Sequence, residues 1–216
     1  MRLVAFGCSH TFGDGLSDVN RENEVYIRTY PSKFAWPQIL TNKFDRIPID
    51  QCVNKGYGGA SNDDIFNIIL NFNFQEDDIV IILWTFVSRV SIFKAKGDPY
   101  MIRKFKAPRT YNKSNTYYKY FYQEADGIRK LCIYANYIQF YLQNKIKILK
   151  QSYLQQHDNF NFPSWNNVNF FNNDIDARSN DKGLDGVHPG PKSHEMFAHK
   201  LYFDLKNEIA KKFNRK

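Results

Sequence analysis

The run Ile79-Val80-Ile81-Ile82-Leu83-Trp84 limits what this chain can fold into more than any other stretch. Its apolar residues are continuous rather than alternating, so a strand made from them has no face to give to water. Preceded by Asp77-Asp78, the run reads as a central strand of a parallel sheet covered on both sides.

The remaining periodicities fit that sheet. A first strand runs from residue 2 to Gly7, and Ile47–Val53 predicts a second. Between them, Phe34, Trp36, Ile39, Leu40 and Phe44 are spaced for a helix, with Pro37 admitted in its first turn. Ser61 or Asn62 can cap a helix carrying Ile65, Ile68, Ile69 and Phe72 on one face. Ile128, Leu131, Cys132, Ala135, Ile138 and Leu142 predict a long helix, followed by a fourth strand at Ile146–Leu149 and a short fifth at Val168–Phe171. A last helix starts near Pro191 and carries Phe197, Leu201, Leu205 and Ile209. Residues 86–123, basic and rich in tyrosine, read as an irregular insertion over the C-terminal edge of the sheet, with a helix beginning inside it. Alternating strands and helices, with no repeat and no Pro/Ser-rich linker, predict one α/β domain over all 216 residues.

Composition narrows the partners. A net charge of +8 permits attraction to acidic polymers, yet no basic run is long enough for a dedicated nucleic-acid arm. The interleaved cations and rings of Tyr100–Tyr122 suit single-stranded nucleic acid, but equally a sugar-binding cleft or a solvated lid, and nucleic acid is not the expected partner. Cys8, Cys52 and Cys132 are an odd set without CxxC spacing, read as small apolar residues. His188, His194 and His199 fit no common zinc pattern, so neither metal nor other cofactor is expected. With no apolar leader and no span of membrane length, the expectation is a cytoplasmic, soluble chain.

Three stretches carry the chemistry. Phe6-Gly7-Cys8-Ser9-His10-Thr11 places a serine just beyond a strand, where open α/β sheets bind ligands. Taken alone, that serine is open to reading as a turn hydroxyl or as a nucleophile. Asn54-Lys55-Gly56-Tyr57-Gly58-Gly59 is a glycine-dense turn whose backbone N–H groups can approach a developing oxyanion. Asp185-Gly186-Val187-His188-Pro189 sets a carboxylate and an imidazole on one turn, where the first can orient the second.

In this order the three stretches resemble the SGNH (GDSL-type) hydrolase family. The resemblance implies a flavodoxin-like three-layer α/β/α sandwich with about five parallel strands. It also implies Ser9 as nucleophile, His188 as general base, Asp185 as its partner, and the backbone N–H groups of Ser9 and Gly59 as oxyanion donors. The implied activity is an esterase, acting on a carbohydrate O-acetyl group. This chain departs from the family's pattern at Cys8, where an Asp is usual, and after the third strand, where Trp84-Thr85-Phe86-Val87-Ser88-Arg89 lacks the oxyanion Asn. Thr85, Ser88 and Asn62 are the candidate replacements, and Arg89 is a candidate fork for an anionic part of the substrate. A non-catalytic relic used for binding or assembly, and an acyltransferase working through the same serine, stand as alternatives.

Overall fold

A computed structural model describes residues 1–19, 30–44, 49, 51–93, 99–102, 113–154, 162–168, 170–171, 175 and 181–213. Four parallel strands form the main sheet: β1 (Arg2–Gly7), β2 (Gln51–Gly56), β3 (Ile79–Trp84) and β6 (Ile148–Tyr153). Their spatial order is β2-β1-β3-β6. As its composition requires, β3 is buried along its whole length, paired with β1 on one side and β6 on the other.

That order determines where the helices go. The chain leaves β1 towards β2 through α2 (Trp36–Lys43), then returns past β1 to β3 through α3 (Asn62–Leu70). Right-handed crossovers in opposite directions put these helices on opposite faces. α5 (Glu124–Leu142) joins α3, with Phe66 stacked on Tyr134 at 4.3 Å between ring centroids. α6 (Pro191–Phe213) joins α2, where Trp36 meets Phe197 edge-on at 5.2 Å. The result is a doubly wound α/β sandwich whose direction of winding reverses between β1 and β3.

The strand ends are level where it matters. Gly7 pairs with Gly56 on one side and with Leu83 on the other, so the segments after β1, β2 and β3 emerge together at one edge. At the opposite edge Arg2 grips the buried Asp78 through two hydrogen bonds of 2.9 and 2.8 Å.

Four expectations need correction. The sheet has four strands rather than about five among the described residues. Val168, Phe170 and Phe171 lie in no strand, although Phe171 N–H reaches Gln151 O at 2.7 Å, and residue 169 of the predicted run lies outside the described set. The second strand, Gln51–Gly56, runs on past the predicted end at Val53, and residues 45–48 and 50 lie outside the described set. The 86–123 insertion is more regular than its composition indicated. It contains an antiparallel pair, β4 (Val90–Phe93) and β5 (Pro99–Ile102), besides the helix expected there, α4 (Lys113–Tyr120). No helix among the described residues is long and apolar enough to cross a membrane.

Candidate active site

Beyond Gly7 the chain turns at once into α1 (Ser9–Phe12), a single helical turn capped by Gly13. Ser9 is its first residue, so its backbone N–H is one of the first-turn donors that a helix cannot satisfy internally. Asn54 braces this turn from the end of β2. Its side-chain N–H donates to Thr11 O at 2.7 Å while its oxygen accepts from Gly56 N–H at 2.9 Å. β2 and α1 are packed so closely that a Cβ on Gly56 would lie 2.4 Å from Phe12 N.

The segment after β2 makes a tight turn. Ala60 N–H donates to Tyr57 O at 3.0 Å, and Gly59, in its third position, has φ of 80°, the value a type II turn demands. Ser61 then caps α3 through a capping box with Asp64. Asn62 faces the end of β3. Its Nδ2 donates to Thr85 O at 3.1 Å and its Oδ1 accepts from Thr85 N–H at 2.8 Å, leaving one N–H of the amide uncommitted. Thr85 Oγ1 accepts from Arg89 at 2.9 Å. Ser88 is buried, and its carbonyl accepts from the Tyr118 hydroxyl.

The last component arrives from far along the chain. Asp181 holds the start of α6, accepting from Lys192 N–H at 2.9 Å and Ser193 N–H at 2.8 Å. A bridge between Lys182 and Pro189 closes the loop that follows. This loop sits on the turn after α1, where Leu184 N–H donates to Gly15 O at 2.7 Å.

Within the loop, His188 Nδ1 lies 2.5 Å from Asp185 Oδ2. Asp185 Oδ1 accepts from the N–H groups of Val187 and His188, each at 3.0 Å. Burial alone would push the Asp185 carboxyl up, but the bonds from the His188 ring and from these two N–H groups outweigh it and hold it at about 2. The carboxylate is therefore ionised at neutral pH, so Nδ1 carries the hydrogen between them and Nε2 is the nitrogen that faces away from Asp185.

The structure brings the Asp185–His188 pair beside the residue that follows the serine. The His10 and His188 rings meet edge-on at 5.8 Å, and His10 meets Phe86 at 6.1 Å. Burial, and then the proximity of His188 and Arg89, push His10 well below the ordinary histidine range. Ser9 itself is buried, and its Oγ donates to Cys8 Sγ at 3.9 Å rather than to His188. His194 and His199 lie elsewhere. The first is buried, accepting from Trp36 N–H at 3.1 Å, and the second pairs with Lys43 Nζ at 2.8 Å. Among the described residues no group of His, Cys, Asp and Glu is placed to hold a metal ion.

Three supporting residues had escaped the sequence reading: Asn54, His10 as a neighbour of His188, and Gly15 under the loop. Asn54 and His10 stand inside the two quoted stretches without a role of their own, and Gly15 belongs to Gly13-Asp14-Gly15, which reads as a plain loop.

With this geometry in view, the chain can be compared with known proteins. No family model matches it, and no curated protein matches its sequence. Among solved structures, a carbohydrate esterase family 2 enzyme with a carbohydrate binding domain, from Corynascus thermopiles (Myceliophthora fergusii), superposes with a TM-score of 0.54 at 11% identity. The match covers 97% of this chain and 66% of that one, so the chain spans just under two thirds of that enzyme's length. A second carbohydrate esterase, described as having divergent catalytic and non-catalytic binding functions at its active site, gives 0.49 at 13% identity over 95% of this chain and 65% of its own. A possible lipase from Chitinophaga pinensis gives 0.39 at 14% identity, over 95% of this chain and 98% of its own. The first of these likenesses establishes a shared fold.

Proposed function

We propose that this chain is a serine hydrolase of small acyl esters, with O-acetylated carbohydrate as its substrate class. The observation that carries the reading is the Asp185–His188 pair, fixed on a loop that docks against the turn after Ser9. It presents an oriented imidazole, with Nε2 available, at the reversal point of a doubly wound sheet.

In this reading Ser9 Oγ turns about χ1 away from Cys8 and gives its proton to His188 Nε2 as it attacks the acyl carbonyl. Hydrogen bonds of this kind are often loose before substrate binds and tighten in the complex. The backbone N–H groups of Ser9 and Gly59 receive the oxyanion, with Asn62 as a side-chain donor through its uncommitted N–H. Thr85 and Ser88 are the other hydroxyl-bearing residues at this edge. The alcohol leaves with the proton from His188, and water then cleaves the acyl-enzyme. The fold shared with a carbohydrate esterase supports the choice of substrate class.

The test is labelling with a fluorophosphonate probe and mapping of the modified residue. Adduct on Ser9, abolished in His188→Ala, is the expected result. Ser9→Ala should lower turnover of an O-acetyl sugar by ~10³-fold or more, as nucleophile losses do. Folded protein that neither labels nor turns over ester would instead identify a hydrolase-like binding protein. Acetylated sugar acceptor among the products would identify an acyltransferase.

A further inference from the structure

Arg89 follows β3 at the same edge as Ser9 and the Gly59 turn, and its cation is unusually placed. Nη1 donates to Thr85 Oγ1 at 2.9 Å and to Ala60 O at 3.3 Å, which uses both of its hydrogens. The guanidinium carbon lies 5.1 Å from the centroid of the Phe86 ring, and Phe86 in turn meets His10. The group is thus anchored at one nitrogen and packed against an aromatic ring. Nε and Nη2 have no hydrogen-bond partner among the described residues, and no carboxylate there forms an ion pair with Arg89.

Asp63 and Asp64, in the first turn of α3, are engaged elsewhere. Asp63 accepts from the Tyr134 hydroxyl at 2.8 Å and pairs with Lys130. Asp64 accepts from Ser61 N–H at 2.8 Å and from the Ser91 hydroxyl at 2.7 Å. A cation that is only partly exposed, anchored at one nitrogen and paired with no carboxylate among the described residues is set up to receive an anion. The Nε–Nη2 edge presents two parallel N–H groups, which match the two oxygens of a carboxylate. A single guanidinium edge suits one negative charge better than a phosphate dianion, which would call on further cations.

We propose that Arg89 binds a carboxylate on the substrate, so that the preferred ester is that of an acidic sugar rather than a neutral one. This rests on the hydrolase reading for its ester, but the anion site itself can be tested without turnover.

The experiment pairs kinetics with binding. Initial rates are compared for O-acetylated glucuronate and O-acetylated glucose, in the wild-type protein and in Arg89→Gln and Arg89→Lys. The wild type should favour the glucuronate ester in kcat/KM by tenfold or more. Arg89→Gln should remove most of that preference, and Arg89→Lys, which keeps the charge without the fork, should retain an intermediate part. Equal use of both esters by the wild type would overturn the proposal while leaving the hydrolase reading intact, and so would a preference that survives in Arg89→Gln.

Calorimetric titration with glucuronate, glucose and glucose 6-phosphate gives the second arm. Salt-sensitive binding of glucuronate alone, weakened in Arg89→Gln, supports the proposal even if neither ester is hydrolysed, in which case it is the hydrolase reading that falls. No preference for glucuronate over glucose, or tighter binding of the phosphate, overturns it. The wild-type comparisons decide the matter even where a variant fails to fold.

Discussion

Asp185 illustrates how one residue sets the working range of a site. Its carboxyl, held at about 2, stays ionised across the range in which esterases are assayed. The acid limb of a kcat/KM profile should therefore report another group, and none of its inflections should belong to Asp185. Asp185→Asn should keep the loop shape while reversing the ring's preferred tautomer, lowering kcat by orders of magnitude with a much smaller change in KM. Asn62 makes a different kind of prediction, about stability. Asn62→Ala strips Thr85 N–H and Thr85 O of their partner in a buried setting, so urea unfolding should show a loss of about 1–3 kcal/mol. An unchanged midpoint would mean that water replaces the clamp.

Among the elements, the loop from Asp181 to Gly190 depends on its seat. Gly15 has φ of 89°, and a Cβ there would lie 2.9 Å from Asp185 Oδ1. Gly186, within the loop, has φ of 67° but nothing within 4 Å of such a Cβ. Gly15→Ala should therefore lower both stability and ester turnover, whereas Gly186→Ala should cost only about 1 kcal/mol of backbone strain. Equal effects of the two on turnover would show that the seat does not position the acid. The contrast also explains what the sequence could reveal. β3 was legible because burial on both faces makes its apolar run continuous, and α5 and α6 because a buried stripe imposes helical spacing on theirs. Val168–Phe171 carried a strand-like run, but its described residues make one backbone bond to the sheet edge, a tertiary outcome that no local pattern encodes. The Asp185–His188 pair was legible because both partners share one turn. Arg89's anchoring was not, since it depends on Thr85 and Ala60 meeting across two strand ends.

At the scale of the whole molecule, two of the described histidines, His10 and His194, are folded in neutral form. His194 is fully buried, which lowers it to about 3, and His10 is lowered in the same direction, again chiefly by burial. An unfolded chain takes up protons on both near pH 6.5, and the folded one does not. The resulting stability is complete above about pH 6.5 and is lost as pH falls towards about 3 for His194. The contribution from Asp185, whose pKa is depressed from 3.8, disappears only below that, as pH falls towards about 2. Urea midpoints measured from pH 7 to 4 should decline in the wild type and decline less steeply in His194→Gln, with the His10 share remaining. Parallel slopes would contradict the assignment.

The bond from Trp36 N–H to His194, between residues 158 positions apart, has a consequence in time. As the ribosome releases this chain, the first strand and Ser9 emerge well before His188 and α6. On the proposed mechanism, until α6 docks on α2 the growing polypeptide carries the serine hydroxyl with no base beside it, and so would not acylate itself on whatever esters surround it. Refolding from urea should repeat that order: far-ultraviolet dichroism should recover before reactivity towards the fluorophosphonate does.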